Sequence, residues 1–146
     1  MKRSWLLGLC LLAAVPATGH GLDSTDQAGL ADPQQTAYAF LEAWTGRDVQ
    51  AGFDLLSPRL WSEIQADSTK GEGWFYMYMT GLSNPHHETF ELGTGQVEDS
   101  TRFVFPVVLI EGIWGDSTKY RYESTMELLR DSTAWRVDRL PKDEHR

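Results

Sequence analysis

The chain has 146 residues, with 13 lysines and arginines against 21 aspartates and glutamates, and a formal net charge of −8 at pH 7. This length suits one domain built around a single hydrophobic core. A chain this acidic repels phosphate backbones, so nucleic acid is excluded as an expected partner. The acidic residues are spread along the chain, which indicates a solubilising surface.

The first 17 residues have the layout of a secretory signal peptide. Two basic residues, Lys2 and Arg3, precede the apolar run 5–15, and small residues follow it. We expect cleavage after Ala17, export to the periplasm or the outside medium, and a mature net charge of −10 once both basic residues are lost. The run is too short to span a bilayer, and no second apolar stretch follows it, so we expect no membrane association after cleavage.

Cleavage also removes Cys10, the only cysteine. The mature chain would then have no disulfide, no thiol nucleophile and no cysteine-ligated metal. Lipidation of Cys10 is not expected, because Leu9 precedes it and the apolar run continues beyond it.

The new amino terminus raises one metal-binding hypothesis. Cleavage after Ala17 would expose Thr18-Gly19-His20, whose amine, two amides and His20 imidazole form a square-planar set suited to Cu(II) or Ni(II). Cleavage after Gly19 would destroy this set. A polar terminus without metal is the default interpretation, and we expect no cofactor.

Residues 18–31 are small, polar and without period, which predicts a flexible lead-in to a domain over 32–141. Asp32 can cap a helix, Pro33 suits its first position, and Gln35 completes a capping box. Four helices follow from apolar spacing. Their apolar faces comprise Ala37, Phe40, Leu41 and Trp44; Val49, Phe53 and Leu56; Leu60, Trp61 and Ile64; and Phe75, Tyr78, Met79 and Leu82.

The second half predicts an antiparallel sheet. Gly93 and Gly95 suggest a bulge or bend after the first strand, and Pro106 predicts an edge position or a bulge within a later strand. That later strand is apolar on both faces, which favours a second covered face. The expected strands lie around 90–92, 103–110, 120–129 and 134–140.

The tripeptide Asp-Ser-Thr occurs five times, at 23–25, 67–69, 99–101, 116–118 and 131–133. The last three copies fall between expected strands. Since Asp and Ser side chains bond nearby backbone groups, we interpret these copies as turns rather than as metal or phosphate sites.

This order of elements resembles the nuclear transport factor 2-like superfamily, in which helices close a strongly curved sheet into a cone. The segments that carry the resemblance are 40–48 and 51–56, which look like the opening helices, and 134–138, which looks like the closing strand. The resemblance covers 33–141 and leaves 142–146 as a polar tail. It implies an α+β fold with a cone-shaped pocket, and the superfamily includes both enzymes and non-enzymatic domains.

The resemblance implies a place for proton-transfer chemistry inside the cone, where its enzymes use Asp, His or Tyr. The catalytic candidates here are Asp138 and Tyr122, followed by Tyr120, Tyr76 and Tyr78. The alternative is that the tyrosines belong to the core and that Asp138 pairs with Arg136 or faces solvent.

His86-His87-Glu88 is the densest group of metal-capable residues. Adjacent residues of an extended chain point to opposite sides, so the two imidazoles do not easily hold one ion. We expect a polar loop after Pro85 rather than a metal site.

A set of aromatic residues could line a pocket for an apolar ligand, although a domain of this size also needs such residues for its core. The leading hypothesis is an exported, non-catalytic domain that binds a small apolar or amphipathic ligand, or a protein partner, at the mouth of the cone. One alternative is a small isomerase or dehydratase that uses Asp138 and a tyrosine. Another is a homodimer formed through Val104, Val108 and Ile110. The expected ligand-binding residues are Trp61, Trp74, Tyr76, Tyr78 and Tyr122.

Overall fold

The computed structural model describes residues 32–81, 85–132 and 134–142. The expected signal peptide and lead-in, with Cys10 and His20, lie outside the described residues. Within them, four helices pack against a strongly curled antiparallel sheet, so the predicted α+β class is confirmed. The elements are α1 Pro33–Gly46, α2 Val49–Asp54, α3 Pro58–Ala66, α4 Glu72–Thr80, β1 His86–Leu92, β2 Gln96–Asp99, β3 Arg102–Gly112, β4 Lys119–Asp131 and β5 Ala134–Arg139.

The first three helices begin at polar capping residues. Asp32 accepts a hydrogen bond from the Gln34 amide, as predicted, and Asp48 caps α2 in the same way. The Ser57 hydroxyl oxygen accepts from the Leu60 amide at the start of α3. These bonds satisfy amide groups that have no partner within the helix. The described helices include none that is long and apolar enough to cross a membrane.

The sheet has the strand order β1-β3-β4-β5, and β2 also pairs with β3. Beyond β5, Leu56 forms a parallel bridge with Val137, so the chain between α2 and α3 extends the sheet by one short step. This bridge holds the start of α3 beside the last strand.

Pro106 lies in the middle of the sheet, at a break between β1 and β2. β1 ends opposite Val107 and β2 begins opposite Val104, so three residues, 93–95, face two residues of β3. The predicted bulge is therefore confirmed, and the predicted edge position is wrong. The Pro106 carbonyl accepts a hydrogen bond from the Gly93 amide at 2.8 Å. The backbone N–H that a proline lacks would point to the same side as this carbonyl, toward the break. The pairing of β3 with β4 on the other side is therefore undisturbed.

Gly95 is required at this break because it lies against Phe105. A Cβ atom at Gly95 would come within 2.4 Å of the Phe105 ring, which is buried. Only a residue without a side chain allows the chain to approach this ring so closely.

The predicted Asp-Ser-Thr turns are confirmed at 99–101 and 116–118, and the copy at 67–69 forms the same turn. In each, the Asp carboxylate accepts from both the amide and the hydroxyl of the Thr two residues later. These bonds lower the pKa of the Asp below its usual range. The turns are at 67–69, 99–101 and 116–118.

The core lies between the helices and the concave face of the sheet, here called the inner face. Odd-numbered residues of β3 and even-numbered residues of β4 point into it. Large side chains fill this space, so the interior of the cone is packed rather than open. The largest buried side chains are Trp44, Phe40, Phe75, Phe105, Leu41, Ile64, Met79, Leu109, Met126, Leu128, Leu140 and Val107.

Candidate functional site

Only two of the five expected ligand-binding residues are among the described residues that line a common cleft. Trp61 and Tyr76 line a cleft between helices. Trp74 and Tyr78 stack on each other elsewhere on α4, and the Tyr78 hydroxyl donates to the Pro141 carbonyl at 2.8 Å. Tyr122 lies at the end of the cone, under the ammonium group of Lys142. The structure therefore does not bring these residues together into one pocket.

The cleft between α2, α3 and α4, here called the helical cleft, has a volume of about 500 Å³. It lies on the helical side of the molecule, away from the packed cone interior. Two of its aromatic side chains, Phe53 and Tyr76, are substantially exposed. The described lining residues are Val49, Gln50, Phe53, Trp61, Glu72, Gly73, Phe75 and Tyr76.

Edge-to-face ring contacts hold the wall of the helical cleft. The rings of Phe53 and Trp61 are 4.9 Å apart at 84°, and those of Trp61 and Phe75 are 5.9 Å apart at 76°. One ring comes from each of the three helices, so the helix packing itself positions the wall. Pairs in this geometry add stability beyond the area that they bury.

A second group of residues surrounds His87 at the end of the curled sheet where β1 begins and β3 ends, here called the end of the cone. This side chain is buried, and its ring stacks on that of Trp44, with 3.5 Å between centroids. Nδ1 lies 3.0 Å from the Trp44 carbonyl oxygen. Because a carbonyl only accepts, Nδ1 carries the proton of the neutral ring. Nε2 faces the Glu111 carboxylate at 3.7 Å.

Glu111 and Lys142 form a buried ion pair beside His87. The Lys142 ammonium donates to Glu111 Oε2 at 2.8 Å, and the Glu111 side chain is only 5% exposed. The same ammonium lies 3.8 Å above the centre of the Tyr122 ring. The Lys142 amide donates to the Ser124 hydroxyl oxygen at 2.8 Å. Several contacts thus hold the segment after β5 over the end of the cone.

Burial lowers the pKa of His87, and the Lys142 and Arg47 cations act in the same direction, while the Trp44 carbonyl and Glu111 oppose them. The unfolded chain therefore takes up this proton at a higher pH than the folded chain. We expect the contribution of His87 to the free energy of unfolding to be fully present above about pH 6.5, the ordinary His value. This contribution should decrease as the pH falls below that value. Urea unfolding across this range measures the loss, which for one proton is at most about 1.4 kcal/mol per pH unit.

His87→Gln should abolish most of this pH dependence. The matched control is His86→Gln, a change at the neighbouring residue, whose ring stacks on Trp114 outside the core. The His86→Gln variant should still lose unfolding free energy as the pH falls below about 6.5. An unchanged pH profile in His87→Gln would contradict the assignment.

Asp138 is 1% exposed and is bound on several sides. The Ser57 hydroxyl donates to it at 2.5 Å, and Arg59 Nε lies 2.8 Å from Oδ1 and 3.0 Å from Oδ2. The expectation that Asp138 pairs with Arg136 or faces solvent is wrong. Arg136 instead contacts Asp131 and the Asp54 carbonyl.

A bulge explains the position of Asp138. Leu128 pairs with Val137 and Glu127 with Arg139, so Asp138 is the additional residue between them. Simple alternation along β5 fails at this point, and the carboxylate turns toward the start of α3. Its bonds tie β5 to α3, which is a structural role visible in the geometry.

The expected polar loop at His86-His87-Glu88 is also wrong, because these residues begin β1. The two imidazoles do point to opposite sides, as predicted. His86 stacks on Trp114 and His87 on Trp44. In the part of the chain that the structure describes, no group of three acidic, His or Cys side chains could hold a metal ion.

Sequence reasoning missed Glu111 and Lys142. Lys142 belongs to the predicted polar tail, and Glu111 follows the predicted apolar strand as an ordinary charged residue. The one available signal was the period of β3, since Glu111 continues the odd-numbered series of Phe105, Val107 and Leu109. That period places its carboxylate on the inner face, where it needs a partner.

Comparison with known proteins supports the fold and no more. No protein-family model and no curated protein matches the chain. It is similar to a SEC-C motif-containing protein from Rhodopseudomonas palustris, with a TM-score of 0.56 and 8% identity over 75% of this chain and 77% of that one. It is also similar to a protein from Thiobacillus denitrificans described as a calcium/calmodulin-dependent protein kinase type II association domain. There the TM-score is 0.55, with 13% identity over 74% of this chain and 90% of that one. At these identities the shared property is a helix-covered, strongly curled sheet.

Proposed function

We propose that this chain is an exported, non-catalytic domain of the nuclear transport factor 2-like type that binds a small apolar or amphipathic ligand in the helical cleft. Because large side chains fill the interior of the cone, we propose the helical cleft as the binding site rather than the mouth of the cone. The observation that carries the proposal is the cleft itself, where Phe53 and Tyr76 expose aromatic surface beside about 500 Å³ of open volume. Concave sites with an apolar lining and few polar groups are typical ligand sites.

Tyr76→Ala should weaken the binding of a neutral fluorescent apolar probe, such as N-phenyl-1-naphthylamine, by about tenfold. The change removes one aromatic wall of the cleft. Fluorescence titration of the dye measures the dissociation constant.

The matched control for this experiment is Met77→Ala. Tyr76 and Met77 are neighbours on α4 and are similarly exposed, at 48% and 53%, but only Tyr76 is among the described residues that line the cleft. Met77→Ala should leave the dissociation constant unchanged. Equal weakening by both variants would show that the dye binds exposed apolar surface in general.

A second candidate function is self-association through the convex face of the sheet. Val104, Pro106, Val108 and Ile110 form an apolar row there, here called the outer stripe, which is only partly covered within the monomer. Charges of both signs flank it, including the Arg121–Glu91 pair. Mixed charge around an apolar centre can complement its own copy across a two-fold axis.

For this second candidate, Val108→Asp is expected to convert a dimer into a folded monomer, because it places a charge in the centre of the outer stripe. Sedimentation velocity gives the oligomeric state, and circular dichroism checks the fold. Val97→Asp is the control, since Val97 is more exposed and lies on β2 outside the stripe. A wild-type protein that sediments as a monomer would exclude this candidate.

A further inference from the structure

We infer that the helical cleft selects amphiphiles whose polar end is an organic cation, such as an alkylammonium group. This inference rests on the proposed function and specifies its ligand class. It follows from the charge of the cleft lining, the orientation of one amide and the aromatic wall.

The described lining residues carry one formal charge, the carboxylate of Glu72. Glu72 is exposed at the start of α4 and so can meet a ligand at the rim. The chain as a whole carries a net charge of −8, which raises the local concentration of cations at low ionic strength. Both the local and the overall charge therefore favour a cationic ligand.

The polar side chain of Gln50 adds to this preference. Its Nε2 donates one of its two N–H groups to the Asp54 carboxylate at 2.7 Å, which orients the amide nitrogen toward Asp54. The acceptor end, the carbonyl oxygen, remains the end that suits a positive group. Asp54 itself places a second carboxylate next to the lining residue.

The aromatic wall suits the same ligand. Phe53, Trp61 and Tyr76 present rings whose faces carry partial negative charge, and these faces attract ammonium groups within about 6 Å. The apolar part of the ligand would cover the same rings. One surface thus serves both ends of an amphiphilic cation.

The amino terminus of α4 is the feature that opposes this inference. Its cap, Gly71, makes no side-chain hydrogen bond, and uncapped helix amides favour anions. The dipole contributes about half a positive charge, however, whereas Glu72 contributes a full negative charge in the same turn. Lys70 is not among the described residues that line the cleft, and its ammonium lies 4.9 Å over the Trp74 ring. An anionic head group would meet the Glu72 carboxylate.

The test compares three amphiphiles with the same decyl chain: decyltrimethylammonium, decyl maltoside and decyl sulfate. Isothermal titration calorimetry is run below the critical micelle concentrations at low ionic strength. The ammonium compound should bind about tenfold more tightly than the maltoside, and the sulfate most weakly. Glu72→Gln should remove most of this advantage and leave maltoside binding unchanged.

Glu98→Gln is the control, because it changes the net charge equally at an exposed residue of β2 outside the described cleft lining. It should preserve the preference. Equal affinity for the ammonium compound and the maltoside, or tighter binding of the sulfate, would overturn the cation inference and leave the proposed function standing. If none of the three amphiphiles binds in a way that Tyr76→Ala weakens, the proposed function fails and the inference fails with it.

Discussion

Lys142→Met is expected to lower the free energy of unfolding by about 3 kcal/mol near pH 8. The change leaves the Glu111 carboxylate buried without its cation, and the lost Coulomb attraction no longer offsets the cost of removing that charge from water. The cost should be smaller at acidic pH, because the Lys142 cation lowers the pKa of His87. Without that cation, His87 takes up a proton more readily beside Glu111. Urea unfolding, monitored by circular dichroism near pH 8 and at acidic pH, measures the loss of unfolding free energy under both conditions.

Two further variants separate the buried pair from a simple loss of charge. Lys119→Met removes a cation that pairs with Glu88 at the surface, where the Lys119 side chain is 52% exposed. It should cost less than about 1 kcal/mol. The double variant Glu111→Gln/Lys142→Met should recover much of the stability that Lys142→Met loses. If Lys142→Met costs no more than Lys119→Met, the ion pair is not a stabilising element of the cone end.

Arg59→Met is expected to cost about 2–3 kcal/mol, because it strips the main cation from the buried carboxylate of Asp138. Arg59 Nη2 also donates to the Asp138 carbonyl at 2.6 Å, so one side chain holds both groups of this residue. The loss stays moderate because Arg59 is half-exposed and Arg102 Nη1 lies 3.5 Å from the second carboxylate oxygen. Chemical unfolding measures this loss. Arg59→Lys should recover only part of it, since an ammonium lacks the planar fork.

Arg121→Met is the matched control for this experiment. Arg59 and Arg121 are equally exposed, at 51% and 50%, and each contacts a carboxylate. They differ in the buried fraction of the partner, because Glu91 is 55% exposed and Asp138 only 1%. Arg121→Met should therefore cost less than about 1 kcal/mol. Equal costs for the two variants would mean that the burial of Asp138 carries no energetic weight.

This ion pair also bears on the alternative that assigns proton transfer to Asp138 and a tyrosine. A general base must be able to reach the proton that it takes. The Asp138 carboxylate is instead bound by Ser57 and Arg59 at the junction of β5 and α3, whereas Tyr122 lies at the end of the cone. The buried acid–base neighbours in the described structure are His87 and Glu111, and neither was a catalytic candidate from the sequence.

Structural features that depend on a few neighbouring residues are predicted correctly from the sequence. The cap of α1 at Asp32, the Asp-Ser-Thr turns and the bulge near Pro106 each depend on bonds between residues close in the chain or on the chemistry of one residue. Such features form wherever the chain takes up that local conformation, so no knowledge of distant residues is needed.

The sequence by itself therefore determined the order and type of the four helices and of four of the five described strands. Only the tertiary structure decided that the short segment Gln96–Asp99 pairs as β2 and which side chains meet. His87 reaches the Trp44 carbonyl across 43 positions, and Lys142 reaches Glu111 across 31. The residues predicted to bind a ligand do not all meet, for the same reason. Trp61 and Tyr76 line the helical cleft, whereas Tyr122 lies at the end of the cone. Contacts of this kind depend on how elements pack and where bulges shift a register, and close packing of the whole core selects those arrangements.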